Sequence, residues 1–277
     1  MSIKLMYITN NPQVAKVAEN AGVDRIFIDM EYIGKQDRQG GMDTVQSRHT
    51  FEDIKNVRSA IRKAQLLVRC NPIHDATDEY CSSKEEIDSI VSCGADIIML
   101  PYFKNANEVK KFIELVGGRA KTMLLFETPE SRENADEILQ LSGIDEVFIG
   151  LNDMSLGYGM RFMFQLLADG TVEELCEKFK QKRLPYGFGG LASLGGGMLP
   201  GKNVLMEHYR LGSDCVILSR SFCNTSKITD LNEIKEIFDK GIKEIRAYEQ
   251  SCMLLTNEQF DENKINVVNA VEKIVRG

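Results

Sequence analysis

Short apolar runs alternate along this chain with longer stretches whose apolar positions recur at helical spacing, and the alternation repeats eight times. The runs predict strands over 4–8, 25–30, 66–69, 96–100, 122–126, 146–150, 185–188 and 215–218. The stretches between them predict helices over 12–20, 51–63, 84–93, 105–116, 129–141, 172–181 and 202–211. Two further amphipathic helices, over 231–250 and 258–275, finish the chain. Asn11 is placed to cap the first helix, with Pro12 in its first turn. A polar loop containing glycines is expected over 34–48. Runs such as Ile97-Ile-Met-Leu100 and Val147-Phe-Ile149 lack alternation, as strands buried on both faces should. Eight βα units of this size predict an α/β fold, a (β/α)8 TIM barrel with an extra C-terminal helix. A dinucleotide-binding sheet would want Gly-x-Gly-x-x-Gly after the first strand, and Thr9-Asn-Asn-Pro12 does not supply it. No linker or low-complexity tract interrupts the pattern, so a single barrel domain over 1–277 is expected. Its terminal helical segment, 256–275, is left over once the barrel is complete.

Composition adds exclusions rather than chemistry. The 277 residues are 43% hydrophobic and 27% charged, enough for a core without disulfides. A net charge of −7 argues against a nucleic-acid binder, which needs a basic stripe. No apolar run approaches the roughly 20 residues that span a bilayer, and the first ten residues show no signal-peptide pattern. The seven cysteines include no Cys-x-x-Cys pair, so they are read as reduced thiols of a cytoplasmic protein.

The chemistry is expected at the C-terminal ends of the strands, where barrel enzymes carry their active sites. Four ends are polar: Asp29-Met-Glu31-Tyr32, Arg69-Cys-Asn71-Pro72, Glu127-Thr-Pro129 and Gly150-Leu-Asn152-Asp153. Glu127 and Asp153 come from neighbouring strands and could share one divalent cation. Their hard oxygens suit Mg²⁺ or Mn²⁺, and no His or Cys stands beside them to favour zinc. Arg69 offers a planar fork for a carboxylate or an enolate. The plainer alternatives are ion pairs that hold the rim: Glu127 with a cation, and Arg69 with Glu31 or Asp29.

At these residues the chain resembles the HpcH/HpaI aldolase and citrate lyase family. The likeness rests on Gly94-Ala-Asp-Ile-Ile-Met-Leu-Pro101, on Leu125-Phe-Glu127-Thr, and on Gly143-Ile-Asp-Glu-Val-Phe-Ile-Gly-Leu-Asn-Asp153-Met-Ser. It extends to Gly22-Val-Asp with Ile-Asp-Met-Glu31, and to Val68-Arg69-x-Asn71-Pro72, and so runs from about Ala21 to Ser155. The resemblance implies a metal-dependent carbon–carbon lyase acting on a 2-oxo acid or an acyl-CoA. It implies Glu127 and Asp153 as ligands of Mg²⁺ or Mn²⁺ and Arg69 on the keto or enolate oxygen. The backbone N–H groups of Asn152 and Asp153 would receive the carboxylate. Aldolases of the family carry Glu-His where this chain has Glu31-Tyr32, and citrate lyase-like relatives carry Glu-Asp. Glu31 and Tyr32 therefore occupy the catalytic position with a different partner. His49, His74 or a metal-bound water could carry the proton, and Tyr32 would sooner donate a hydrogen bond than take a proton.

Three segments remain. Gly187 to Gly201 holds seven of the 22 glycines and could close over a phosphate or the far part of a substrate. Met160-Arg-Phe-Met-Phe164 would pack on the barrel or form an apolar wall for an acceptor. The last helix is expected to pack on a neighbouring subunit, making the protein a homo-oligomer. The function expected is a class II aldolase cleaving or forming a small hydroxy-oxo acid through a pyruvate-like enolate. A citrate lyase-like or malyl-CoA-like lyase and a catalytically inactive binding barrel are the alternatives.

Overall fold

The computed structural model describes residues 2–34 and 49–276. The predicted polar loop therefore lies, past Gly34, outside the described residues. Eight strands close a parallel barrel in sequence order: β1 (Lys4–Ile8), β2 (Arg25–Asp29), β3 (Gln65–Arg69), β4 (Ile97–Leu100), β5 (Lys121–Phe126), β6 (Glu146–Ile149), β7 (Tyr186–Leu191) and β8 (Cys215–Leu218). β8 returns to pair with β1, from Lys4 opposite Cys215 to Tyr7 opposite Leu218. The helices are α1 (Pro12–Ala21), α2 (Phe51–Ala60), α3 (Ser83–Ser92), α4 (Ala106–Val116), α5 (Pro129–Glu133), α6 (Ala135–Ile138), α7 (Leu151–Gly157), α8 (Gln165–Ala168), α9 (Thr171–Gln181), α10 (Gly201–Leu211), α11 (Leu231–Cys252) and α12 (Asn257–Arg276). The predicted (β/α)8 barrel is therefore the fold.

Local chemistry starts these helices where the chain needs them. Asn11 accepts from the Gln13 and Val14 N–H groups above Pro12, and capping boxes at Thr50/Asp53 and Ser82/Glu85 open α2 and α3. A four-fold Gly-x-Asp repeat closes the other end of the βα units. Gly22, Gly94, Gly143 and Gly212 all take positive φ, the left-handed conformation that ends a helix without a Cβ penalty. The aspartate two residues on then turns its carboxylate back to the preceding strand. Asp24 accepts from Leu5 N–H (2.8 Å), Asp96 from Leu66 (2.7 Å), Asp145 from Thr122 (2.8 Å) and Asp214 from Tyr186 (3.1 Å). Each saturates a strand-end donor at the floor of the barrel that no neighbouring strand reaches. The Gly-x-Asp motifs are thus a structural device of the even-numbered strands.

Inside the barrel, Met6, Phe27, Leu67, Ile97, Met99, Met123, Leu125, Phe148 and Cys215 form a packed core. Beneath them Arg25 lies fully buried, its two Nη atoms each 2.7 Å from a Glu146 oxygen. The larger apolar cluster lies between strands and helices.

Several elements depart from the sequence pattern. The helix predicted over 129–141 opens on a Thr128/Ser131 capping box but is broken into α5 and α6 at Asn134, whose φ −92° and ψ 10° leave the helical region, and it ends at Ile138. The unpredicted α7 starts directly after β6, and Phe162 and Phe164 are buried beside α8 with ring centroids 5.4 Å apart. β7 runs on to Leu191 because an extra residue bulges between Gly187 and Gly190. The buried face of α12, with Asn263, Val267 and Val271, lies against the chain's own α10 and α8. Asn263 hydrogen-bonds Glu207 (2.8 Å) and accepts from Asn203 (2.8 Å). For this face the seat expected on a neighbouring subunit is provided within the chain. Among the described residues no helix is long and apolar enough to cross a membrane.

Two stability measurements follow. Arg25→Met leaves Glu146 buried without its partner and should cost about 3–5 kcal/mol in urea denaturation, whereas adding Glu146→Leu should restore most of that loss. His208 is fully buried, stacked on Phe188 at 3.8 Å, with Nδ1 2.8 Å from Ser213 Oγ. Burial pulls its pKa down to about 3, whereas an unfolded histidine takes a proton near 6.5. Its contribution to stability is therefore complete above about pH 6.5 and is lost as pH falls from there towards 3. His208→Gln should flatten the acid limb of the stability curve by about one proton.

Candidate active site

The strand ends of β2, β3, β5 and β6 deliver their polar groups to one rim. Asp29 is the last residue of β2 and Arg69 the last of β3, and they stand directly opposite in the strand register. The Arg69 guanidinium takes Asp29 as a fork: Nε to Oδ1 and Nη2 to Oδ2, both at 2.8 Å. Its remaining nitrogen, Nη1, faces two more carboxylates, Glu31 Oε2 at 3.3 Å and Glu127 Oε2 at 4.0 Å. The cation lies over the Phe27 ring at 5.7 Å. Burial opposes the charge on Arg69, but Asp29 and Glu31 outweigh it and hold the guanidinium firmly cationic.

Glu127 follows β5 and is 3% exposed. Its Oε1 accepts the Tyr102 N–H at 2.9 Å. Burial pushes its carboxyl well above the usual carboxylate range, and Glu31 and Asp153 add to the rise, against Arg69 and the Tyr102 N–H. Its side chain lies on the bare Cα of Gly150, where a Cβ would stand 2.8 Å from Glu127 Cβ and 2.9 Å from Oε2. Gly150 in turn caps α7, whose first turn has no side-chain cap and carries Asn152 and Asp153. Asn152 Nδ2 donates to Asp153 Oδ1 at 3.0 Å.

These groups border a cavity of about 550 Å³ over the barrel core. Asp29, Arg69, Glu127, Asn152 and Asp153 line it; Glu31, fully buried, stands behind Arg69. The structure therefore brings together Arg69, Glu31, Glu127, Asn152 and Asp153. Tyr32 is placed elsewhere: its half-exposed ring packs on Tyr80 at 4.8 Å, and it is absent from the cavity lining among the described residues. Burial and Glu86 raise its phenol, so it stays protonated. The backbone N–H groups of Tyr32 and Ile33 both donate to Asn71 Oδ1 at 3.0 Å, and Asn71 is held by the buried Glu86.

The histidines divide. Both ring nitrogens of His74 are tied within the loop after β3, to Pro72 O (2.7 Å) and Cys81 O (2.8 Å). His49 lines the cavity, and its Nδ1 accepts the Asp29 N–H at 3.0 Å, which leaves the ring proton on Nε2. One anchor escaped the reading of the sequence: Gly150 as a cradle for Glu127 had no local signal. Asp29, expected beside Glu31 as an alternative ion-pair partner of Arg69, is the carboxylate that takes it as a fork.

The residues fit a hard divalent cation. Glu127 and Asp153 supply carboxylate oxygens, and Glu127 sits in a field of negative neighbours that a cation would relieve. Among the described residues no cluster of three or more ligating side chains forms a closed metal cage. Two carboxylates with other positions left to water and substrate is the arrangement Mg²⁺ commonly accepts.

No curated protein sequence matches the chain. Among solved structures, the HpcH/HpaI aldolase from Desulfitobacterium hafniense DCB-2 superposes with a TM-score of 0.60 at 16% identity, covering 85% of this chain and 93% of that one. An HpcH/HpaI aldolase/citrate lyase family protein from Burkholderia cenocepacia J2315 gives 0.63 at 12%, covering 84% and 95%. The citrate synthase SbnG gives 0.60 at 14%, covering 85% and 94%. At these identities the likeness is one of fold. The sequence model of the HpcH/HpaI aldolase/citrate lyase family matches residues 4–162, more than half of the chain, and the chain belongs to that family.

Proposed function

We propose that this protein is a divalent-metal-dependent carbon–carbon lyase of the class II aldolase type, which cleaves or forms a small hydroxy-oxo acid through a pyruvate-like enolate. The observation that carries the reading is the approach of Arg69 Nη1 to Glu127 Oε2 beside Asp153, at the mouth of one cavity. Glu127 and Asp153 would hold Mg²⁺ or Mn²⁺, which supplies Lewis acidity at the keto carbonyl when bound.

The other steps belong to the chain's own groups. Asp29 fixes two nitrogens of Arg69 and so presents Nη1 to the oxygen on which negative charge develops. Glu31 Oε2, 3.3 Å from that same Nη1, helps to fix its position. The uncapped first turn of α7 offers the Asn152 and Asp153 N–H groups to the substrate carboxylate. In the cleavage direction the substrate hydroxyl gives its proton to solvent in the open cavity, the carbon–carbon bond breaks with formation of the aldehyde carbonyl, and its electron pair passes into the enolate. The enolate then takes a proton from solvent at C3. His49, held with its proton on Nε2, serves as a hydrogen-bond donor to the departing carbonyl oxygen rather than as a base. Phe27, Met99, Leu125 and Phe148 floor the cavity and lower its polarity, which strengthens each of these interactions. The cavity volume suits a small acid and its partner, and a CoA ester would extend well beyond it.

Proton exchange at C3 of pyruvate, followed by NMR in D₂O with Mg²⁺ or Mn²⁺, tests the reading directly. The wild-type chain should exchange only with metal present, and Arg69→Ala should slow exchange by about 10²–10³-fold with the fold intact. An unchanged rate in that variant would falsify the role given to Arg69. Glu127→Gln should weaken Mn²⁺ binding more than tenfold in a calorimetric titration; wild-type affinity would remove Glu127 from the metal site.

A further inference from the structure

Strands β2 and β3 pair as far as Asp29 opposite Arg69, one turn of the pleat short of Glu31. The Met30 N–H still donates to Arg69 O at 3.0 Å, whereas the Cys70 N–H turns the other way, to Met99 O at 3.1 Å. Past that point the N–H groups of Tyr32 and Ile33 go to a side chain, the Oδ1 of Asn71, both at 3.0 Å. The Glu31 N–H donates to Asp29 Oδ1 at 3.2 Å. The backbone around Glu31 is therefore bracketed: Asp29 takes its own N–H, and Asn71 takes the next two.

Asn71 is itself held by a helix. Its N–H lies 3.1 and 3.3 Å from the two Glu86 oxygens, and its Nδ2 donates to Glu86 Oε1 at 2.8 Å. Both residues are buried. Glu86 sits in the first turn of α3, where the helix N–H groups favour negative charge. Backbone donors on one side and a carboxylate on the other leave the amide one orientation, oxygen towards the chain after β2 and nitrogen towards α3. An aspartate here would lack the donor for Glu86, and an apolar residue would strand the Tyr32 and Ile33 N–H groups. Asn71 is absent from the described cavity lining, so it reaches the reaction only through what it holds.

We infer that Asn71, braced by Glu86, is a positioning residue for the reaction: it takes the place of the strand partner that β3 no longer supplies and so sets Glu31 against Arg69 Nη1. Glu31 Oε2 lies 3.3 Å from that nitrogen, the one presented to the developing enolate oxygen. If the Glu31 backbone shifts, the guanidinium pivots on its Asp29 fork and Nη1 moves with it. A misplacement of about 1 Å at a catalytic group is enough to slow turnover strongly. The candidate metal ligands Glu127 and Asp153 stand on the β5 end and on α7, outside the bracket, so the loss falls on turnover rather than on binding. The effect on the reaction rests on the lyase reading; the hold of Asn71 on Glu31, and through it on Arg69, does not.

The test is a double-mutant cycle read by proton exchange at C3 of pyruvate with Mg²⁺. Asn71→Ala should lower kcat for exchange about tenfold, with KM for pyruvate and Mn²⁺ affinity staying within about twofold of wild type. In a Glu31→Ala background the same substitution should cost less than about twofold, because the group it positions is already gone. A merely structural role gives the same loss in both backgrounds, and that result overturns the inference. So does an unchanged kcat, or a loss confined to KM. If either alanine variant fails to fold, Asn71→Asp and the pair Asn71→Asp/Glu86→Gln decide. The pair exchanges amide and carboxylate between the two positions and should recover most of the kcat lost in Asn71→Asp; no recovery overturns the inference. If wild type shows no exchange at all, the lyase reading has failed, and NMR of the Arg69 guanidinium decides alone. Restricted rotation should keep the Nη1 proton signals distinct in wild type, and they should collapse in Asn71→Asp and return in the pair with Glu86→Gln. Arg69 signals indifferent to position 71 overturn the inference.

Discussion

Buried negative charge at the rim of the barrel is the constraint around which this molecule is organised. Glu31, Glu127 and Asp29 are each nearly inaccessible, with Asp153 close enough to raise Glu127 further. Carboxylates in such a place are costly unless something positive answers them. Arg69 answers most directly, forked on Asp29 and reaching towards Glu31 and Glu127 with its last nitrogen. The floor of the same barrel makes a useful contrast. There two short hydrogen bonds join Arg25 to Glu146, its Nε donates to Gln65 Oε1, and both charged groups are buried. The floor pair is closed and serves the fold. At the rim, one nitrogen of Arg69 stays beside a cavity, next to a carboxyl that burial and its negative neighbours hold well above the usual carboxylate range.

The scaffold reaches this state by leaving side chains out as much as by putting them in. Gly150 has no Cβ, and the Glu127 side chain occupies the space. A glycine of the β7 bulge does the same for packing, since a Cβ at Gly189 would stand 2.7 Å from Leu151 Cδ1. One absence seats a carboxylate and the other seats the first residue of α7. Both lie where a parallel strand runs out of partners and the chain is free to change direction.

Much of this was legible in the residues. The apolar runs located all eight strands within a few residues, because a strand buried on both faces must be apolar throughout its length. The polar strand ends located Arg69, Glu31, Glu127, Asn152 and Asp153, because a parallel barrel puts every such end on one rim. The Gly-x-Asp motifs were legible as a family pattern, yet their work, capping strand N–H groups at the floor, appears only in three dimensions. Tyr32 shows the limit of adjacency: it follows Glu31 directly, but successive residues past a strand end point to different sides, and its ring leaves the cavity for Tyr80.

What the sequence by itself determined was therefore the order of elements, the closed barrel and the chemistry available at its mouth, since these depend on periodicity and on residue type. Tertiary structure alone decided which carboxylate grips Arg69, that His49 returns to the cavity while His74 is tied down, and that α12 lies on its own chain. Those outcomes rest on distances between residues tens of positions apart. Such distances follow from strand register and helix packing, and no local run of residues encodes them.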